Sequence, residues 1–142
     1  MKWKTMPKVK VNGTINAPAE DVWKLVSNFN GLDKFVEAIT ESSIESSGVG
    51  AVRTLTLQDG GKVKEKLESL DNDRRILTYS IVDSPMPIQN YKGIIQVREI
   101  SDTQSLFTWS STFETDEGVE DEMKEAMEEL YSLGVEGLKN KF

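Results

Sequence analysis

Val52-Arg53-Thr54-Leu55-Thr56-Leu57-Gln58-Asp59-Gly60-Gly61-Lys62-Val63-Lys64-Glu65-Lys66-Leu67-Glu68 reads as two alternating runs around a glycine-bearing turn. Alternation marks a strand with one buried face, and a glycine turn between two such strands makes a hairpin. A two-residue loop would set Thr56 against Val63 and Leu55 against Lys64, mixing polar and apolar on both faces. A three-residue loop at Asp59-Gly60-Gly61 separates the faces. It sets Gln58 opposite Lys62, Leu57 opposite Val63, Leu55 opposite Glu65 and Arg53 opposite Leu67. Arg53 and Glu65 then lie diagonally on the inner, mostly apolar face. Val52, Thr54, Thr56, Lys62, Lys64, Lys66 and Glu68 face outward. A buried Arg and a buried Glu are each costly alone, so the two are expected to pair. The pair is either a polar anchor for a ligand carboxylate, carbonyl or hydroxyl, or a structural ion pair at a cavity rim.

Working outward, Val9, Val11, Gly13 and Ile15 alternate with polar residues as a first strand. Ala17-Pro18-Ala19-Glu20-Asp21 opens a helix, with proline suited to the first helical position and acids to the first turn. Val22, Trp23, Leu25 and Val26 recur at helical spacing, and Asn30-Gly31 breaks the helix. Leu32 to Ile39 fits a second short helix. Ser42–Ser47, Ile76–Val82, Tyr91–Ile100 and Leu106–Phe113 read as further strands, interrupted by turns and by Ser84-Pro85-Met86-Pro87. Val119 to about Leu138 is a long helix, with Met123, Met127, Leu130, Tyr131, Gly134 and Leu138 on one stripe. Strand, short helices, consecutive strands and one long helix predict an α+β domain over residues 1–142. A curved antiparallel sheet would wrap around the last helix and leave a concave space between them.

The same period places Leu77, Tyr79 and Ile81 inward, with Tyr91, Gly93, Ile95 and Val97, and with Phe107, Trp109, Ser111 and Phe113. Each aromatic alone fits a packed core. Buried Tyr and Trp need hydrogen-bond partners, and Gly93 and Ser111 leave little side-chain volume, which together favour open space. Met123 and Met127 suit an adaptable pocket wall and an ordinary core equally well. Gly48-Val49-Gly50 and Ser84-Pro85-Met86-Pro87-Ile88 are the expected loops at its mouth.

Composition narrows the chemistry. The 142 residues include no Cys and no His. Disulfides, a Cys nucleophile and imidazole catalysis are excluded, and a metal site is not expected. With 17 Lys+Arg against 24 Asp+Glu the net charge is -7, which argues against nucleic acid as a partner. No phosphate-loop or dinucleotide motif occurs, and no cofactor is expected. No apolar run approaches membrane-span length, and Met1 to Lys10 has no signal-like apolar core, so the expected compartment is the cytoplasm. Charge is uneven: Lys2, Lys4, Lys8 and Lys10 make the start basic, whereas Glu114 to Glu129 is acidic. The acidic run is either a solvated helix start or a docking face for a protein partner.

These pieces together resemble the polyketide cyclase/dehydrase-like proteins of the SRPBCC group, in the START-like, helix-grip superfamily. The resemblance rests on Ile15-Asn16-Ala17-Pro18-Ala19-Glu20-Asp21-Val22-Trp23, Gly50–Leu57, Asp59-Gly60-Gly61 with Val63 and Glu65-Lys66-Leu67, Tyr79-Ser80-Ile81, Pro85-Met86-Pro87 with Asn90-Tyr91, and Thr108-Trp109. It runs from about residue 9 into the last helix. It implies a helix-grip fold, with about seven strands around a long C-terminal helix and two short helices after the first strand. It also implies an elongated hydrophobic cavity, in relatives that bind lipids, hormones or polyketides and sometimes cyclise or dehydrate them. Arg53, Glu65, Tyr79, Tyr91 and Trp109 match its polar and aromatic cavity positions. Leu32-Asp33-Lys34-Phe35-Val36-Glu37 departs from it, standing where relatives often place a tryptophan followed by proline or histidine.

The leading expectation is binding of a small apolar ligand by Arg53, Leu55, Glu65, Tyr79, Tyr91, Ile95, Phe107, Trp109, Ser111, Met123 and Met127. Arg53 or Tyr91 would take the ligand's polar end. The alternatives are a cyclase or dehydratase using Glu65 with Tyr79 or Tyr91, and a protein-interaction module using Glu120, Asp121 and Glu125. Pairing with Arg53 is expected to lower the basicity of Glu65.

Overall fold

A computed structural model describes residues 4–142. Lys2 of the basic start lies outside them. The chain forms β1 (Lys4–Thr5), β2 (Lys8–Ile15), α1 (Ala19–Val26), β3 (Ile39–Ile44), β4 (Val52–Leu57) and β5 (Lys62–Asp71). It continues with β6 (Ile76–Asp83), β7 (Ile88–Ser101), β8 (Gln104–Asp116) and α2 (Glu120–Lys141). All pairings are antiparallel, in the order β1-β8-β7-β6-β5-β4-β3, with β2 also on the outer edge of β8. β1 and β2 are thus one edge strand interrupted at Met6-Pro7, where proline lacks the ladder donor. This is the expected curved sheet, and α2 crosses its concave face. Among the described residues no helix is long and apolar enough to cross a membrane.

The helical region after β2 is smaller than expected. α1 forms and buries Ala19, Val22, Trp23 and Val26. Pro18 caps it from outside, in an extended conformation, rather than starting it. The second helix shrinks to a 3₁₀ turn at Leu32–Lys34. Phe35 and Val36 pack into the core immediately after it, and Val36 N–H donates to Leu32 O.

The hairpin loop also moves. Observed partners are Thr56 with Lys62, Leu55 with Val63, and Arg53 with Glu65. The loop is Gln58-Asp59-Gly60, one residue earlier than expected. Gly60 has φ of 87° and donates to Leu57 O, while Leu57 N–H donates to Gly61 O. A left-handed residue is required at the third loop position of this turn, and Gly60 meets that need without a Cβ penalty. Asp59 Oδ1 accepts from Gly61 N–H at 2.7 Å and braces the bend. Moving the loop by one residue shifts every pair by two, so the inner and outer faces survive. Arg53 and Glu65 become direct partners instead of diagonal ones.

Bulges shape the concave face. β7 and β8 lose register between Gln89 and Lys92, where Asn90 adopts φ of 51°. Asparagine tolerates that region better than most residues. The extra residue resets the alternation, so Gln89 and Asn90 are exposed while Tyr91 turns inward. Two more irregularities, between Lys64 and Glu65 and between Leu67 and Ser69, bend β5 against β6.

Gly93 does not leave open space. It pairs with Tyr79, and a Cβ there would lie 2.3 Å from Tyr79 Cζ. The tyrosine ring occupies the missing side chain's place. On α2, the buried stripe is Met123, Met127, Tyr131, Gly134, Val135 and Leu138. Val135 joins the expected set, and Leu130 lies at its edge, half-buried. A Cβ on Gly137 would lie 1.6 Å from the Phe35 carbonyl oxygen, so α2 rests directly on that peptide. Backbone cannot yield as a flexible side chain can. Gly137→Ala is therefore expected to cost at least about 1–3 kcal/mol in urea unfolding, through overpacking. An unchanged midpoint would mean that α2 is free to move away from Phe35.

Candidate ligand cavity

Between the sheet and α2 lies a cavity of about 440 Å³. β4 and β5 contribute Leu55, Leu57, Val63 and Glu65; β6, β7 and β8 contribute Tyr79, Ile81, Tyr91 and Trp109. Ala126, Met127, Glu129, Leu130 and Leu133 come from α2, and Leu32, Ala38 and Ile39 from the segment after α1. Its exposed margin includes Gln58, Asp59, Ala126 and Glu129, while Glu65, Tyr79, Tyr91 and Trp109 are buried at the inner end.

The expected site residues divide. Leu55, Glu65, Tyr79, Tyr91, Trp109 and Met127 line the cavity. Arg53, Ile95, Phe107, Ser111 and Met123 are buried outside its lining. Ile95 belongs to the sealed core, as does Phe107, whose ring meets Phe35 and Trp109 edge-on. The mouth differs too. Met86 of the proline loop lines the cavity, but Gly48-Val49-Gly50 does not. Gly50 N–H donates to Leu67 O, which ties that segment to β5. The hairpin turn at Gln58-Asp59 takes its place at the margin. Of the acidic helix start, Asp121 and Glu125 are exposed and Glu120 is half-buried.

Arg53 is spent on the protein itself. Its Nε–H and Nη2–H donate to Glu65 Oε1 at 2.8 and 2.6 Å, and Nη1–H donates to Phe29 O at 2.9 Å. The guanidinium carbon sits 3.9 Å from the Phe29 ring centre and 5.3 Å from that of Tyr79. All three guanidinium nitrogens are thus engaged within the protein, and Arg53 is not among the residues that line the cavity. Glu65 differs, because both arginine bonds fall on Oε1. Oε2 has no hydrogen-bond partner among the described residues. It is not one of the sealed unpartnered oxygens, which are Thr5 Oγ1 and Ser105 Oγ. Oε2 is therefore open to the cavity that Glu65 lines.

A second polar feature runs behind the aromatic wall. Trp109 Nε1–H donates to Tyr79 OH at 2.8 Å, and Tyr79 OH meets Tyr91 OH at 2.8 Å. Tyr91 OH meets Tyr131 OH, which donates to Ser111 Oγ at 2.8 Å. Tyr131 gives its one proton to Ser111, so the chain has one direction. Tyr79 donates to Tyr91, Tyr91 to Tyr131, and Tyr131 to Ser111. Each phenol proton is committed within the protein. Tyr131, whose ring stacks on Trp109 at 4.3 Å, was legible only as a core position on the α2 stripe. Nothing in linear order signals that three tyrosines from three elements share one chain of hydrogen bonds.

Burial pushes the Tyr79 and Tyr91 phenols well above their usual range, and that of Tyr131 to about 12. None of the three is a base near neutral pH. Glu65 departs from the sequence expectation. Loss of solvent raises its pKa, and Arg53 offsets only part of the rise.

The pair gives two stability expectations. Arg53→Ala strands a buried carboxylate and should cost about 3–5 kcal/mol, whereas Arg53→Met with Glu65→Leu should recover most of it. Denaturant unfolding of both variants checks this, and a harmless Arg53→Ala would contradict the pairing. Because the folded pKa of Glu65 lies above its usual value of 4.5, the folded state holds the extra proton in the window just above 4.5. Stability then falls as pH rises through that window. The wild type should lose ground against the double variant as pH rises above 4.5; a constant difference would refute the upward shift.

Residues 6–142 match the family model described as "Polyketide cyclase / dehydrase and lipid transport". Among curated proteins, the abscisic acid receptor PYL2 of Arabidopsis thaliana is 30% identical over 96 residues. That match covers 64% of this chain and 50% of the receptor, so the chain spans about half the length of that relative. Among solved structures, the protein XoxI from Bacillus cereus is 34% identical with a TM-score of 0.87, covering 95% of this chain and 94% of that one. The Zhui aromatase/cyclase of a Streptomyces species shares the fold at 16% identity and a TM-score of 0.80, covering 96% of this chain and 93% of that one. With a helix-gripping sheet, an apolar cavity and a match over nearly its whole length, the chain belongs to the polyketide cyclase/dehydrase and lipid transport family.

Proposed function

We propose that this protein binds a small, largely apolar molecule in the cavity between its sheet and α2. The observation that carries the reading is the cavity itself: about 440 Å³ walled mainly by Leu, Ile, Val, Met and aromatic side chains. Such concave apolar sites with a few convergent polar groups are where small molecules bind. A relative adds support, since it is named as a receptor for abscisic acid. The electrostatics favour binding over turnover. The phenols keep their protons, and the buried carboxylate at the inner end, Glu65, is tied to Arg53 through one oxygen.

Binding should stabilise the fold. A ligand present at a hundred times its Kd adds about 2.7 kcal/mol, visible as a rise in Tm. Naphthalene and 2-naphthol are simple probes for thermal-shift titration. Ala126→Trp is the matched control, because Ala126 is exposed yet borders the cavity. The variant should fold with an unchanged Tm and lose the probe-induced shift. Probes that leave the wild-type Tm unmoved, or shift both proteins equally, would sink the reading.

A further inference from the structure

We propose that the cavity selects ligands whose polar end is a hydrogen-bond donor, an alcohol, a phenol or an amine, and rejects carboxylates. This rests on the cavity being a ligand site, and it adds which chemistry that site accepts.

A census of the lining carries it. The cavity wall includes three carboxylates, Glu65 inside and Asp59 and Glu129 at the margin, and no Lys or Arg. The nearest buried cation, Arg53, has its guanidinium nitrogens bonded to Glu65 Oε1 and Phe29 O. The inner donors are committed as well. Trp109 Nε1–H goes to Tyr79, and the tyrosine protons pass along the chain to Ser111. What the inner end offers a ligand is lone pairs, foremost the free Oε2 of Glu65. Glu65 is only 6% exposed, so a ligand that fills the cavity takes the place of the water Oε2 would otherwise bind.

An acceptor stripped of water and left unpaired is costly, and a ligand O–H or N–H avoids that cost. A carboxylate placed there would face a carboxylate with no donor between them. The site thus discriminates by what it lacks as much as by what it holds, as specific sites often do. Either a neutral hydroxyl or an ammonium group fits; the shared requirement is a proton to give.

Four probes with one bicyclic body test this on the wild-type protein: naphthalene, 2-naphthol, (2-naphthyl)methylamine and 2-naphthoate. Calorimetric titration near neutral pH should rank the naphthol and the amine above naphthalene, and naphthoate last. A bond to a charged acceptor implies about tenfold or more between naphthol and naphthoate. Naphthoate binding as tightly as naphthol would overturn the proposal while leaving the cavity a ligand site. No binding by any of the four would instead overturn the cavity reading beneath it. In Glu65→Gln the advantage of naphthol over naphthalene should vanish; its full retention would remove Glu65 as the acceptor. Should that variant not fold, the carboxyl carbon-13 resonance of Glu65 in the wild type serves instead. It should shift on saturation with 2-naphthol and not with naphthalene, and an unmoved resonance would overturn the assignment.

Discussion

Two opposite charges meet inside an apolar shell at Arg53 and Glu65, and much of the cavity follows from the need to pair them. Both residues are almost fully buried. Neither charge is tolerable there alone, and the observed register of β4 and β5 brings them face to face. The same arginine reaches the carbonyl of Phe29 and covers its ring. The segment after α1 is thereby tied to the middle of β4, and Leu32, Ala38 and Ile39 follow it to the cavity wall. One pair thus locks the hairpin, positions the helical segment and engages the strongest donor away from the cavity. Its geometry is lopsided, since both strong bonds use a single carboxylate oxygen. The other oxygen is what remains for chemistry.

The aromatic wall obeys a related constraint. Tyr79, Tyr91 and Tyr131 arise on β6, β7 and α2, yet their hydroxyls converge. Convergence needs a glycine opposite Tyr79, a bulge at Asn90 to turn Tyr91 inward, and a helix lying close to the sheet. Trp109 feeds the chain as an obligate donor, and Tyr131, giving its one proton to Ser111, sets every phenol in the same sense. A buried network in which each phenol both gives and receives holds a rigid polar wall and leaves no phenol proton to spare. The space above it is consequently apolar in area and accepting in polarity.

Much of this was legible in linear order. Alternation assigned the inner faces of β4 to β8 correctly, because a two-residue period survives any even shift of register. It therefore brought Arg53, Glu65, Tyr79, Tyr91 and Trp109 to the concave side even though the turn was placed one residue late. The helix stripe from Met123 to Leu138 followed from its spacing alone. Other features were not readable. Gly93 looked like missing volume, but a neighbouring strand's ring fills it. Gly48 to Gly50 looked like a mouth, but a backbone bond to Leu67 removes it. Leu32 to Ile39 looked helical, but burial of Phe35 and Val36 prevails over its local preference. In each case the deciding partner lies far away in sequence.

The amino-acid sequence by itself determined the architecture and its chemical vocabulary: an antiparallel sheet around a last helix, with inward carboxylate, guanidinium, phenol and indole and no imidazole or thiol. These follow from period and composition, which are local properties of a chain. Only the tertiary structure decided how that vocabulary is spent. Whether a donor is free or committed depends on which atoms come within about 3 Å of it, and those atoms arrive from other strands. Hence Arg53, the obvious ligand anchor in one dimension, is engaged by Glu65 and Phe29 in three and does not line the cavity, and the open group is one oxygen of Glu65.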